Sequence, residues 1–480
     1  MYVDKFDNNI IFDYIKKLNY KDLIIFLIPF ITFLYYLNVY NPGVLSFDSF
    51  YQLHQITTNH FDNWHPFFHT FIEMICLKIY PSIISIGVLQ IFTFSSMWMV
   101  ICKYNRNDEI KSKQFILQVL LTLIICFIPI NAIYSITLWK DILFSYFLMF
   151  LCFLIEVLLD KKENVGILFL IIFSLTLAFV FHLRSNGIFV VLALLIIFGV
   201  YFFRNNKSKK YYITIPTLTI IFILLISSLS LIYNVEDTQK DVIYDKTVHI
   251  LADYDLKVNV SGEDKQKIHE LISEKDIREK FDPTFTDPTY AVANEQVFDN
   301  NKKGYIMMVI DYSLKNPLNF VEYILDSSSM VWDITRDDDW SGYVYYVDLN
   351  NSKNSFFSSH HTSPIKEYEN ASSVNIGTQE YNDLNLFAES VRLNLITDTL
   401  FDSPALYMYL AFSILIVLKF VFNVDKVYLI YLPNFLNILT IFLSTPIQSN
   451  RYLYSNLLVC YLLIIILIKY SDRFGLNNTK

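Results

Sequence analysis

The sequence predicts an all-α polytopic membrane protein. Of its 480 residues 54% are hydrophobic and only 18% charged. Apolar runs of about 20 residues, the length that crosses a bilayer core, recur along the chain, and Lys and Arg gather in short segments between them. About ten spans fit, at 23–40, 82–102, 114–131, 142–159, 165–182, 187–203, 211–233, 404–422, 427–445 and 452–469.

Orientation follows from the basic segments. The N-terminus with Lys16, Lys17 and Lys21, "KYNRNDEIKSK" (103–113), "DKKEN" (160–164), "RNNKSKK" (204–210) and "KYSDRF" (469–474) alternate correctly if all are cytoplasmic. Both termini are then expected in the cytoplasm. No small-residue cleavage site follows the first apolar run, so it is expected to stay as an uncleaved span. Residues 66–80, "PFFHTFIEMICLKIY", are apolar but short, and counting them as a span would turn the basic 103–113 loop outward. They are expected to lie in the outer interface as a short helix.

The polar stretch 234–400 then falls outside. Acidic residues there outnumber basic ones about two to one, whereas the rest of the chain is net basic. It is too long for a loop without structure of its own, and "DKQKIHELISEKDIREKF" and "YSLKNPLNFVEYILDSSSMVWDI" read as helices, with strands expected near "SGYVYYVDL". The expected layout is a transmembrane core with its first outer loop (1–233), a mostly helical extracytoplasmic acidic domain (234–400) and a last group of three spans (401–480). All five cysteines lie in apolar stretches, so no disulfide framework or Cys-based zinc site is indicated.

In this register the chemistry-bearing residues share one side. Asp48 in "SFDSF", the histidine-rich run ending in "FDNWHPFFHT" (61–70), "TLWKD" (137–141), "HLRSNG" (182–187) and "PIQSNRYLY" (446–454) all face outward, from five separate loops. On a helix starting at Pro66, His65, His69 and Glu73 share one face as a polar stripe. Such a stripe can simply face headgroups and water. A divalent metal on His65 and His69 is possible by spacing, but the Glu of H-E-x-x-H and an obvious third ligand are missing, so no cofactor is certain. Lys140, Arg184 and Arg451 each stand alone at an outward end of a span, where the charge bias disfavours cations. One such residue can snorkel; three from separate loops suit an anion such as a lipid phosphate, which Arg grips bidentately. Asp48 can be an ordinary N-cap residue or a general base. In 234–400, "TRDDDW" (335–340) and "SSHHTSP" (358–364) read as solvated polar turns, and Asn259 and Asn370 stand in N-x-S sequons that matter only in a host that glycosylates exported chains.

"PGVLSFDSFYQLHQ" followed by "WHPFFHTF" resembles the first outer loop of GT-C membrane glycosyltransferases, where an acid shortly after the first span precedes an "HP" segment. The closest pattern is that of the protein mannosyltransferase and aminoarabinose transferase types. The resemblance covers the layout of residues 20–233, and "SNRYLY" resembles a late Arg-Tyr element. It departs in "HPFF" for the usual "HPPL"-like run and in the large acidic insertion. The resemblance implies that Asp48 is the catalytic base and that Arg184 and Arg451 contact the donor's phosphate. His65 is the second catalytic candidate, His65 or Asp141 being next in line as base, and His69, Lys140, Asp141 and Tyr452 are expected to bind substrate with the arginines. The implied activity moves a sugar from a polyprenyl-phosphate donor to an envelope acceptor on the outer face of the cell membrane, with no nucleic acid involved. A lipid-linked glycan flippase or an envelope glycan polymerase are the competing expectations. With 10 glycines and no G-x-x-x-x-G-K-[ST] run, no nucleotide-binding signature is visible.

Overall fold

The computed structural model describes residues 18–107, 113–160, 165–204, 209–238, 241–335, 378–444 and 448–477. Among them every regular element is a helix, and the only β pairing is two isolated bridges. The chain divides into two compact units. One comprises Met1–Val235, Tyr345–Asn437 and Arg451–Lys480, the other Glu236–Val344 and Ile438–Asn450.

The first unit holds α1 (Tyr20–Val39), α2 (Phe47–Thr58), α3 (Phe67–Ile79), α4 (Ile84–Tyr104), α5 (Lys113–Phe127), α6 (Pro129–Ile136), α7 (Lys140–Asp160), α8 (Ile167–Leu183), α9 (Gly187–Arg204) and α10 (Lys209–Ile232). Seven described helices of the chain are long and apolar enough to cross a membrane, or up to nine if each of two bent pairs is one span. The bends have a local cause. α5 and α6 meet at 69° across Ile128, the residue before Pro129, whose backbone is extended. Proline's ring disfavours helical geometry in the residue before it. The expected 114–131 span therefore breaks within its last turn. Every other expected span is helical too, but the 165–182 segment forms α8, which at 17 residues is short for a crossing.

α7 is the axis of the unit: 83% of its apolar window is buried, against 11% for α10. It packs on α8, α4 and the last helix, while α1 packs on α4, α5 and α6. Fully buried Phe94, Trp98, Tyr134, Phe144 and Tyr146 fill the space between them, and Leu120, Phe189, Ile196 and Leu224 point outward, as faces turned to lipid should. The expected interfacial segment 66–80 is helical as α3, which lies against α2, α4 and α8.

The second unit is built from α11 (Asp241–Lys257), α12 (Gly262–Leu271), α13 (Glu274–Lys280), α14 (Asp287–Tyr290), α15 (Glu295–Asn300), α16 (Lys302–Lys315), α17 (Pro317–Ser327) and α18 (Ser329–Trp332). Ser261 and Ser273 cap the starts of α12 and α13, and Val248, Leu251, Ile268, Ile277 and Phe298 form its core. Both segments read as helical from sequence are so, interrupted at 272–273 and at Asn316 and Ser328. This unit is shorter than the 234–400 segment. α19 (Gln379–Leu393) and α20 (Leu395–Asp402) group with the first unit, where Asn385 accepts a 2.7 Å hydrogen bond from Tyr40 and Phe387 packs on Phe127. α21 (Pro404–Phe420), α22 (Val427–Ser444) and α23 (Tyr454–Asn477) complete the chain. α20 and α21 form the second bent pair, at 55°, again at the residue before a proline, Ser403. "SGYVYYVDL", "SSHHTSP", Asn370 and all of "TRDDDW" but Thr335 lie outside the described residues.

One short contact sets the position of the first loop. Val44 pairs in parallel with Thr137, through Val44 N–H to Ile136 O at 3.0 Å and Leu138 N–H to Val44 O at 3.1 Å. Gly43 makes this approach possible, because its φ of 132° lies in the region side chains avoid and a Cβ there would sit 2.9 Å from Ile136 O. Gly43→Ala is therefore expected to destabilise the protein by about 1–3 kcal/mol, read as a lowered thermal midpoint in detergent. An unchanged midpoint would mean that the 43–44 backbone is not held against the 136–138 segment.

Candidate functional site

Five sequence-distant segments meet in the first unit. Asp48 comes from the first turn of α2, which Ser46 caps. His65 precedes α3, Lys140 and Asp141 open α7, Arg184 follows α8, and Arg451 lies in the 3-10 turn Asn450–Leu453 that leads into α23. Asp48 is placed by the bridge beside it: Ser49 Oγ donates to Leu138 O at 2.8 Å, and Trp139 Nε1 donates to Ser46 Oγ at 2.6 Å. The chain that carries Asp48 is thus stitched to the chain that carries Lys140.

The charges pair as a network. Asp48 Oδ2 lies 2.9 Å from a terminal nitrogen of Arg451 and 3.7 Å from Lys140 Nζ. Asp141 lies between Arg184 Nε at 3.0 Å and Arg451 Nε at 3.7 Å. Lys140 Nζ donates to His65 Nδ1 at 2.8 Å, which leaves the proton of the neutral ring on Nε2, facing Asp48 Oδ1 at 3.9 Å. The two arginines sandwich the site's aromatic groups. The Arg184 guanidinium is 4.5 Å from the Tyr452 ring centre, and that of Arg451 is 4.6 Å from Trp139 and 5.1 Å from Tyr452.

Exposure separates two kinds of member. Asp141 is fully buried, and Arg184 is ion-paired with it and donates to the Tyr452 carbonyl at 3.3 Å; these hold the site together. Asp48 is 23% exposed, and its partners Lys140 and Arg451 are 15% and 14% exposed. The network is open to its surroundings at those three.

Burial alone would raise the Asp48 carboxyl, but the charges of Arg451 and Lys140 outweigh it and hold the group well below the usual carboxylate range. Burial, aided by the Lys140 charge, pushes His65 down to about 3. The ring is therefore neutral at physiological pH. Three cations (Lys140, Arg184, Arg451) face two carboxylates (Asp48, Asp141), which leaves a net of +1. That balance suits an added anion. It does not suit the divalent metal allowed by spacing, and among the described residues no three His, Cys, Asp or Glu side chains gather as a metal site.

Of the residues singled out from sequence, Asp48, His65, Lys140, Asp141, Arg184, Arg451 and Tyr452 come together. His69, in the first turn of α3, is fully buried, with Gln52 Oε1 at 3.2 Å and Glu73 at 3.7 Å as its partners. Sequence reasoning overlooked Trp139, Ser46 and Gln52. Trp139 had a signal, since it adjoins Lys140 in a loop expected to face outward; Ser46 and Gln52 matter only through contacts across the fold. Neither family models, nor curated proteins, nor solved structures give a match to this chain.

The neutral histidine has a thermodynamic signature. An unfolded imidazole binds its proton at about 6.5, and His65 in the fold does so only at about 3. The unfolded state thus holds more protons below 6.5, and stability falls as pH drops from there toward 3. Glu73, raised by burial well above the usual carboxyl value, works in the opposite sense, its contribution being lost as pH rises. Comparing native protein with His65→Gln isolates the histidine. The variant's thermal midpoint is expected to fall less than the native one between about pH 7 and pH 5. Parallel curves would show that the fold leaves the proton affinity of His65 where the unfolded chain has it.

Proposed function

We propose that this chain is an integral membrane glycosyltransferase of the GT-C kind, moving a sugar from a polyprenyl-phosphate donor to an envelope acceptor on the outer face of the cell membrane. The observation that carries the reading is the meeting of Lys140 and Arg451 on Asp48, three partly exposed groups from three distant segments. The lipid phosphate takes Lys140 and Arg451, at a place where two helices, α2 and α7, begin and turn their positive ends. Arg184 keeps Asp141 in place beneath them.

In the reaction the acceptor hydroxyl attacks the anomeric carbon and gives its proton to Asp48. The bond from that carbon to the phosphate oxygen breaks, and the electron pair leaves with the polyprenyl phosphate, whose charge Lys140 and Arg451 stabilise. Direct displacement inverts the sugar carbon. At rest Asp48 is a weak base, because both cations lie on it. A phosphate that draws them away restores the basicity the step needs.

A second reading draws on the two bent helix pairs, 113–136 and 395–420. Broken helices are what transporters use at mid-membrane, and a lipid-linked glycan flippase would employ them. The charge distribution favours the enzyme. Along α7 the cluster at Lys140 and Asp141 sits at one end, and Glu156, paired with Lys469 at 3.0 Å, lies near the other, 15 residues and about 22 Å of helix away.

Asp48→Asn keeps the size of the side chain and removes the proton acceptor. The purified variant is expected to insert normally and to transfer sugar at least about 10²-fold more slowly. Undiminished turnover would pass the role of base to His65 or Asp141, while a flippase would show no transfer in either protein. The sidedness is tested separately by cysteine labelling. A cysteine at Asn107 is expected to react only with reagents that reach the cytoplasm, and one at Asn259, in the 234–400 segment, from outside. The reverse pattern would place the cluster on the wrong face for an envelope acceptor.

A further inference from the structure

Beneath the charged network the polar stripe of α3 continues inward, and the fold leaves it unsatisfied. His69 and Glu73 are each fully buried. Gln52 on the facing helix donates through Nε2 to Thr70 at 2.9 Å, so its oxygen is the acceptor for His69 Nδ1–H. That fixes the tautomer. His69 Nε2 then offers a lone pair, and it has no hydrogen-bond partner among the described residues. Both Glu73 oxygens lack one as well, although Oε1 comes within 3.7 Å of His69. Gln55, a turn along the same face of α2 from Gln52, is buried with neither amide atom bonded.

Unpaired buried polar atoms are costly, at about 1–3 kcal/mol each. Several on two helices that both begin at one charged cluster therefore indicate a ligand that completes them. Burial raises the Glu73 carboxyl and lowers the His69 ring, so the pair presents a neutral acid and a neutral imidazole. His69 Nε2 is an acceptor and needs a donor, which a phosphate dianion does not supply. A hydroxyl both donates and accepts, and fits.

We propose that His69 and Glu73, with Gln52 and Gln55 opposite, form a subsite for a neutral polyhydroxylated group, the sugar of the substrate. It rests on the transfer reading given above. His69 stands in the first turn of α3, which His65 precedes, and His65 contacts the Lys140 that binds phosphate. A sugar joined to that phosphate extends toward α3. Glu73 is a hydrogen-bonding group here, not a charge.

The test uses the full-length protein in detergent and three sets of probes: bare polyprenyl phosphate, the same lipid carrying glucose, mannose or galactose, and the free methyl glycosides of those sugars. Native protein is expected to bind one glycosylated lipid about tenfold more tightly than the bare lipid, the worth of one or two added hydrogen bonds. Glu73→Leu and His69→Phe should lose that gain while bare-lipid affinity stays within about twofold. Glu73→Gln, which keeps a donor and an acceptor, should retain it. Glu73→Leu should also be no less heat-stable than native, because it removes unpartnered polar atoms. A gain seen only with methyl glycosides would place the hydroxyls on the acceptor and overturn the assignment of a donor sugar to this subsite. Full sugar preference in Glu73→Leu and His69→Phe, a marked loss of heat stability in Glu73→Leu, or bare-lipid binding with no response to any sugar overturns the subsite and leaves the proposed function standing. Failure of native protein to bind any of the phosphate lipids removes both.

Discussion

The site depends on a backbone contact rather than on any of its charged residues. Where Val44 lies along Thr137, with Gly43 allowing the approach to Ile136 O, the loop after the first apolar helix is fixed to the start of α7. Asp48 and Lys140 are then neighbours whatever their charges prefer. Ser46, Ser49 and Trp139 close the same seam with side-chain bonds, so a single strip of polar contacts orients two helix starts. Ion pairs held loosely by long side chains contribute little positional information, whereas two main-chain bonds in a buried seam define a register.

That frame explains why three cations can share so small a space. Left unpaired, Arg184 would oppose the packing of α8 against α7; the fully buried Asp141 answers it directly and reaches Arg451 as well. Asp48 is the remaining counter-charge, and the only carboxylate of the network with appreciable exposure. It stands where an incoming anion would stand. The opposite end of the bundle has its own buried network, in which Asp22 pairs with Lys103 and Arg106 and Asn105 donates to Glu156 at 3.1 Å. The charged groups there pair with one another, so that end reads as structural. The end that holds Asp48 carries one charge more than it balances, and below it lie polar atoms without a hydrogen-bond partner among the described residues.

Much of this was legible in the chain before any coordinates. Hydropathy gave the helices, and prolines at 129 and 404 foretell the two breaks in hindsight, since a residue before proline leaves the helix. Lys140, Arg184 and Arg451 stood out because cations are disfavoured at the outward ends of spans, His65 lay in the histidine-rich run, and Asp48 and Tyr452 fell in the segments that carry the resemblance. The polar stripe His65–His69–Glu73 was visible as helical spacing. Its burial was not, because a spacing of four places residues on one face without saying what covers that face.

Sequence by itself determined the fold class, the helical segments and the identity of the charged residues, all of which follow from local composition and from the cost of polar groups in an apolar run. Only the tertiary structure decided which of them meet. It put Asp48 on Lys140 and Arg451 and Arg184 on Asp141, took residues 378–437 into the first unit, and sank His69 and Glu73 beneath the network. The reason is physical. Pairings between residues hundreds of positions apart are fixed by how helices pack and by where a loop can dock without a side chain, as at Gly43, and neither is encoded in the periodicity of any one segment.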